Sequence, residues 1–123
     1  AHDILEHLDN TRKIFEEMIR VCKKQGQIDL QVPMHGSLAH TTDITHQRGF
    51  AENSFGHFIE NHPYCQGQPY FSGKRIELIY GAVDHTPLEV QENGFIRPID
   101  QNKKIRILLH QEIGNLRFKF KVK

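Results

Sequence analysis

Histidine is the residue type this chain uses most distinctively. Nine occur in 123 residues, and five of them, His35, His40, His46, His57 and His62, fall within one 28-residue stretch. Imidazole titrates near neutral pH and is a common transition-metal ligand, so such a density raises acid–base or metal chemistry as possibilities. The same stretch supplies Asp43, Glu52 and Glu60. Two spacings suit metal binding. In a helix, His40, Asp43 and His46 would share one face; in a strand, His40 and His46 would share a face that Asp43 does not. His57 and Glu60 form an i, i+3 pair on a short predicted helix. Neither spacing matches a known zinc pattern, and two cysteines are too few for a structural zinc cluster. The metal-ligand candidates are His40, Asp43, His46, His57 and Glu60, and the sequence names no cofactor.

Metal-free chemistry is the second option. Small ribonucleases work with a histidine as general acid or base and a nearby cation that stabilises developing negative charge. Here His57 or His62 would be the histidine, with Lys74, Arg75 or Arg106 as the cation. Cys65 beside His57 or His62 can also be written as a nucleophile pair, although no orienting third group is evident. The catalytic candidates are therefore His57, His62 and Cys65. His110-Gln-Glu112 resembles the His-x-Glu of zinc deaminases but lacks the accompanying Pro-Cys-x-x-Cys, which excludes it. His85 follows Asp84 in a turn-like stretch and is expected to face solvent. Glycine-rich phosphate loops, nucleophile elbows and dinucleotide fingerprints are absent.

Charge supplies the third option. The chain carries 16 Lys and Arg against 15 Asp and Glu, yet the last 21 residues carry seven basic groups and one acidic one. An asymmetry of this kind points toward an anionic partner. If Lys104–Leu109 and Leu116–Val122 are adjacent strands, Lys104 and Arg106 gather beside Arg117, Lys119 and Lys121 on one sheet face. Arg106, Arg117, Lys119 and Lys121 are the anion-binding candidates. Alternatively, lysines on a terminal edge strand simply block edge-to-edge aggregation. Nucleic acid would call for aromatic rings among the charges, and Phe118 and Phe120 alternate onto the opposite face. Tyr64, Tyr70, Phe71 and Tyr80 could supply stacking only if their loop lay over the basic face.

The elements that must position these groups follow from periodicity. Ile4, Leu8, Phe15, Met18, Ile19 and Cys22 recur with a helical period that only Thr11 interrupts. Asp3 with Glu6 reads as a capping box and Gly26 as the residue just past the end, which predicts an amphipathic helix over 3–25. Phe15 and Met18 are expected to pack on Ile105, Ile107, Phe118 and Phe120. Ile28, Leu30 and Val32 then alternate with polar residues in a strand ended by Pro33. Residues 34–49 read as either a second strand or a polar loop. A short helix is expected over 51–61, weakened by Gly56, and a loop over 62–74. Strands follow at Arg75–Tyr80, from Leu88, at Phe95–Ile99 after the Asn93-Gly94 turn, at Lys104–Leu109 and at Leu116–Val122. Pro98 assigns its strand to an edge or a bulge.

Helix first and strands after predicts an α+β single domain over 1–123, an N-terminal amphipathic helix packed on a curled antiparallel sheet or small barrel. At 37% hydrophobic and 25% charged residues the composition is that of a soluble globular chain, and no apolar run is long enough to span a membrane. Cys22 and Cys65 make no disulfide framework and fit a reducing, cytoplasmic compartment. Function is expected to be a binding or regulatory domain recognising an anionic ligand or a protein partner, with nucleic acid open. The alternative is a His-dependent or metal-dependent hydrolase using the mid-chain histidines.

Overall fold

A computed structural model describes residues 2–67 and 73–123. It has an α+β architecture: four short helices and one open, five-stranded antiparallel sheet. The strands are β1 (Gln27–Pro33), β2 (Ile76–Val83), β3 (Thr86–Val90), β4 (Ile96–Pro98) and β5 (Asn115–Val122), arranged β1-β5-β2-β3-β4. The sheet does not close, so the small-barrel alternative falls away. Among the described residues no helix is long and apolar enough to cross a membrane.

β5 follows the expected alternation. Leu116, Phe118, Phe120 and Val122 are buried on the inner face, opposite Val32, Leu30 and Ile28 of β1 and Val83, Gly81 and Leu78 of β2. Its position in the sheet differs from expectation. The last strand is central, hydrogen-bonded on both sides, and its lysines guard no edge. Pro98 does lie in an edge strand, β4, as its missing N–H requires. On the far edge the N-terminal segment covers β1, with Asp3 N donating to Gln31 O at 3.1 Å.

The N-terminal helix is shorter than its periodicity suggests. A single 3-10 turn, Leu5–His7, precedes α1 (Thr11–Val21), and the break at residues 8–10 falls just before the one residue that interrupts the apolar stripe. Thr11 is buried with its hydroxyl donating to Leu5 O at 3.2 Å, and Asn10 Oδ1 caps the helix by accepting from Lys13 N. Asp3 sits at φ 58° and cannot serve as the cap. At the other end Gln25, not Gly26, takes the left-handed conformation, at φ 69°. Gly26 is needed for space: a Cβ there would stand 2.7 Å from Cys22 Sγ and 2.9 Å from Lys23 O. Phe15 carries α1 onto the sheet, its ring 4.7 Å from Phe55, 5.0 Å from Phe58 and 6.2 Å from Phe120.

The largest departure is at residues 103–108. Lys104–Leu109 is not a strand; Lys103–Leu108 forms helix α4. Alternation of Ile105 and Ile107 imitates a strand, but only Ile107 is buried, while Ile105 is 57% exposed. Lys103, one turn before Ile107, decides the conformation. Its ammonium is buried beside Asp84, at 3.4 Å, and hydrogen-bonded to Glu112. A strand would send Lys103 and Ile107 to the same face but would stretch them about 13 Å apart. A helix stacks them on one buried stripe.

The middle of the chain is mostly turns. α2 (Leu38–Thr41) is capped by Ser37, whose Oγ accepts from His40 N at 3.2 Å. Residues 51–61 make turns and one 3-10 turn at Gly56–Phe58 in place of the expected helix. Gly56 accommodates the His62 ring, which a Cβ would meet at 2.6 Å. Part of the expected 62–74 loop is helical, α3 (Pro63–Gly67). Tyr70 and Phe71 lie outside the described residues.

Candidate functional site

The histidines do not converge on one cleft. His62 is fully buried, and both ring nitrogens are used within the protein: Nε2 is 2.9 Å from Asn53 Oδ1, and Nδ1 accepts from Tyr64 N at 3.1 Å. Burial, and secondarily His57, lower its pKa from the ordinary histidine value. The folded protein therefore refuses a proton that the unfolded chain accepts. This contribution to stability is full above about pH 6.5 and is lost as pH falls through the folded value. The expected result is a thermal midpoint that falls between about pH 7 and pH 5. By NMR the His62 ring is expected to titrate below the ordinary histidine value. A His62 ring that titrates at the ordinary value would contradict this.

His57 lines a concavity of about 320 Å³ with Phe15, Phe50, Phe55 and Arg48, and none of Lys74, Arg75 and Arg106 lines it. Lys74 Nζ instead donates to Cys22 O, and Glu60 pairs with Lys123 at 2.7 Å. Cys65 is buried, and both cysteines are free thiols. His40 Nδ1 accepts from Gly36 N at 3.0 Å.

His46 has a different set of neighbours, and two of them come from the N-terminal 3-10 turn. Its Nε2 lies 3.8 Å from Glu6 Oε1 and 3.6 Å from Asp43 Oδ2. His7 Nε2 lies 3.9 Å from the same Glu6 oxygen, and the two imidazoles meet edge to face at 4.7 Å. Backbone hydrogen bonding joins the segments, with Gln47 N donating to Glu6 O at 2.7 Å. Thr45 donates its hydroxyl and backbone N–H to Asp43 Oδ1, which holds that carboxyl below its ordinary range. The sequence reading included His46 and Asp43 but missed Glu6 and His7. Glu6 was assigned to a helix cap, whereas it is 1% exposed. The available signal was a Glu-His pair directly beside Leu5 on the apolar stripe.

The expected basic row is dismantled by α4. Arg106 leaves the sheet and is held by Asp100 and Glu112, each at 2.6 Å, which raise its pKa further. Lys104 approaches Glu52 at 3.8 Å. What remains on the outer sheet face is Arg117, Lys119 and Lys121 from β5, flanked by Gln31, Asp29 and Gln27 on one side and Ala82, Tyr80 and Glu77 on the other. Over Arg117 and Lys119 lies a groove of about 610 Å³, with Tyr80, His85, Ile113 and Asn115 also in its walls.

The acids of that groove already have partners. Asp84 accepts from Gly114 N and Asn115 N and faces Lys103. Glu112 is held by Lys103 and Arg106, which lower its pKa. Burial raises the pKa of Asp29, but Arg117 and His2 outweigh that and hold it below its ordinary value. Lys119, half-buried on the floor, has neither an ion pair nor a side-chain hydrogen bond among the described residues. No family model, curated protein or solved structure matches this chain.

Proposed function

We propose that the chain is a small binding domain whose recognition surface is the outer sheet face and whose ligand is a small anion. The carrying observation is Lys119: it lines the groove with no ion pair among the described residues, while the acids around it, Asp29 opposite it included, are engaged by other groups. Arg117 beside it offers a planar fork suited to carboxylate or phosphate. A volume of about 610 Å³ falls within the usual range for small-molecule sites. Tyr80, half exposed in the wall, supplies a ring against which a flat ligand can stack.

The test titrates inorganic phosphate and adenosine monophosphate into the protein, following backbone amides by NMR over a salt series. Shifts are expected at Asn115, Arg117 and Lys119, with affinity falling as salt screens the charges. Lys119→Glu should weaken binding by about tenfold or more while the fold persists. Binding that is indifferent to Lys119→Glu, or to salt, would remove this reading. A hydrolase is the second reading, favoured by the Glu6, His7 and His46 cluster, whose three donors would leave a bound metal with positions for water.

A further inference from the structure

Glu6 is an anomaly in the electrostatics of the fold. Its side chain is 1% exposed, and neither carboxylate oxygen has a hydrogen-bond partner. A buried carboxylate without partners is strongly unfavourable unless a cation balances it. Lysine and arginine do not supply that cation, because the groups facing Glu6 are two imidazoles.

Hydrogen bonding from behind makes Nδ1 the donor nitrogen of both rings. Thr45 gives its hydroxyl hydrogen to Asp43 Oδ1 at 2.6 Å, so its oxygen accepts from His7 Nδ1–H at 3.1 Å. The His40 carbonyl can only accept, so His46 Nδ1 donates to it, also at 3.1 Å. Each ring in its neutral form therefore turns an Nε2 lone pair toward Glu6. The three donor atoms lie within 4.8 Å of one another. Two lone pairs and a carboxylate that converge in this way need a shared cation.

A proton fits the spacing poorly. A charge-assisted N–H···O contact closes to about 2.8 Å, roughly 1 Å shorter than either imidazole–Glu6 distance. Donors on a tetrahedral zinc, each bound at about 2.0–2.1 Å, stand about 3.4 Å apart, so the two imidazole–Glu6 distances need to close by only about half an ångström, and the ring nitrogens, which lie within 4.8 Å of each other, by at most about 1.4 Å. Two imidazoles and one carboxylate suit borderline divalent ions and not magnesium or calcium, which prefer all-oxygen sets. Access is adequate, since the His7 side chain is 35% exposed and that of His46 11%.

We infer that Glu6, His7 and His46 form a binding site for one borderline divalent transition metal of the zinc class. The ion would tie the N-terminal 3-10 turn to the 43–47 loop, two segments otherwise joined by a few hydrogen bonds. Asp43, whose Oδ2 stands 3.6 Å from His46 Nε2, flanks the site without belonging to the group of three.

The experiment is a cobalt(II) titration of chelator-stripped protein followed by visible absorption, then displacement by zinc, with the thermal midpoint measured in parallel. One equivalent of cobalt should develop d–d bands, and zinc should remove them and raise the midpoint. Glu6→Gln, which keeps shape and loses charge, and His7→Gln, at the more exposed ligand, should each weaken the metal at least about tenfold with an unchanged circular dichroism spectrum. His110→Ala should leave binding intact. Absence of both cobalt bands and zinc stabilisation in the unaltered chain would overturn the inference. So would binding that survives Glu6→Gln and His7→Gln, or binding lost in His110→Ala. None of these readouts depends on the sheet-face groove.

Discussion

Replacing Phe15 with alanine is expected to lower the unfolding free energy by about 3–5 kcal/mol. The ring is 1% exposed and touches Phe55, Phe58 and Phe120, so its removal empties the seam between α1, the 51–61 turns and the sheet. That seam cannot collapse easily, because Phe55 and Phe120 are each held by further rings, Phe55 by Phe50 and Phe118, and Phe120 by Phe118. A domain of this size has only about 5–15 kcal/mol in hand, so one truncation removes a fifth or more of it. Urea unfolding followed by circular dichroism checks this. The midpoint should fall with little change in slope, which would locate the effect in stability and not in compactness. Ile14→Ala, on the adjoining and 40% exposed position, should stay within about 0.5 kcal/mol. An unchanged midpoint in Phe15→Ala would mean that α1 is not part of the core.

The second large effect separates helix from strand at residues 103–108. Ile107→Ala is expected to cost about 2–4 kcal/mol, because Ile107 is fully buried against the Gly114 corner. Ile105→Ala should cost about 0.5 kcal/mol or less, since the side chain is 57% exposed. In a strand the two residues would share a face and their truncations would cost alike. Equal losses on urea unfolding would restore the strand and, with it, the continuous basic row. Unequal losses support the helix that removes Arg106 from the sheet.

Local patterns by themselves determined the amphipathic α1, the alternation of β1 and β5, the Asn93-Gly94 turn and the edge position of Pro98. Each depends on residues within a few positions of one another, so periodicity and turn chemistry suffice. Tertiary structure decided the rest, for reasons that are long-range. The order of strands made β5 central, which pairs Lys119 with Asp29 and Tyr80 and not with another row of bases. The conformation of Lys103–Leu108 was set by Asp84 and Glu112, one distant and one beyond the helix end, because a buried ammonium needs carboxylates more than Ile105 needs burial. The break just before Thr11 turned Glu6 from a helix cap into a buried carboxylate. His62, legible as a catalytic candidate, became a packed ring against Gly56. The Glu6, His7 and His46 group joins positions about forty residues apart, and no spacing rule reaches that far. It exists only because the N-terminal segment docks on β1 and so brings His7 against the 43–47 loop.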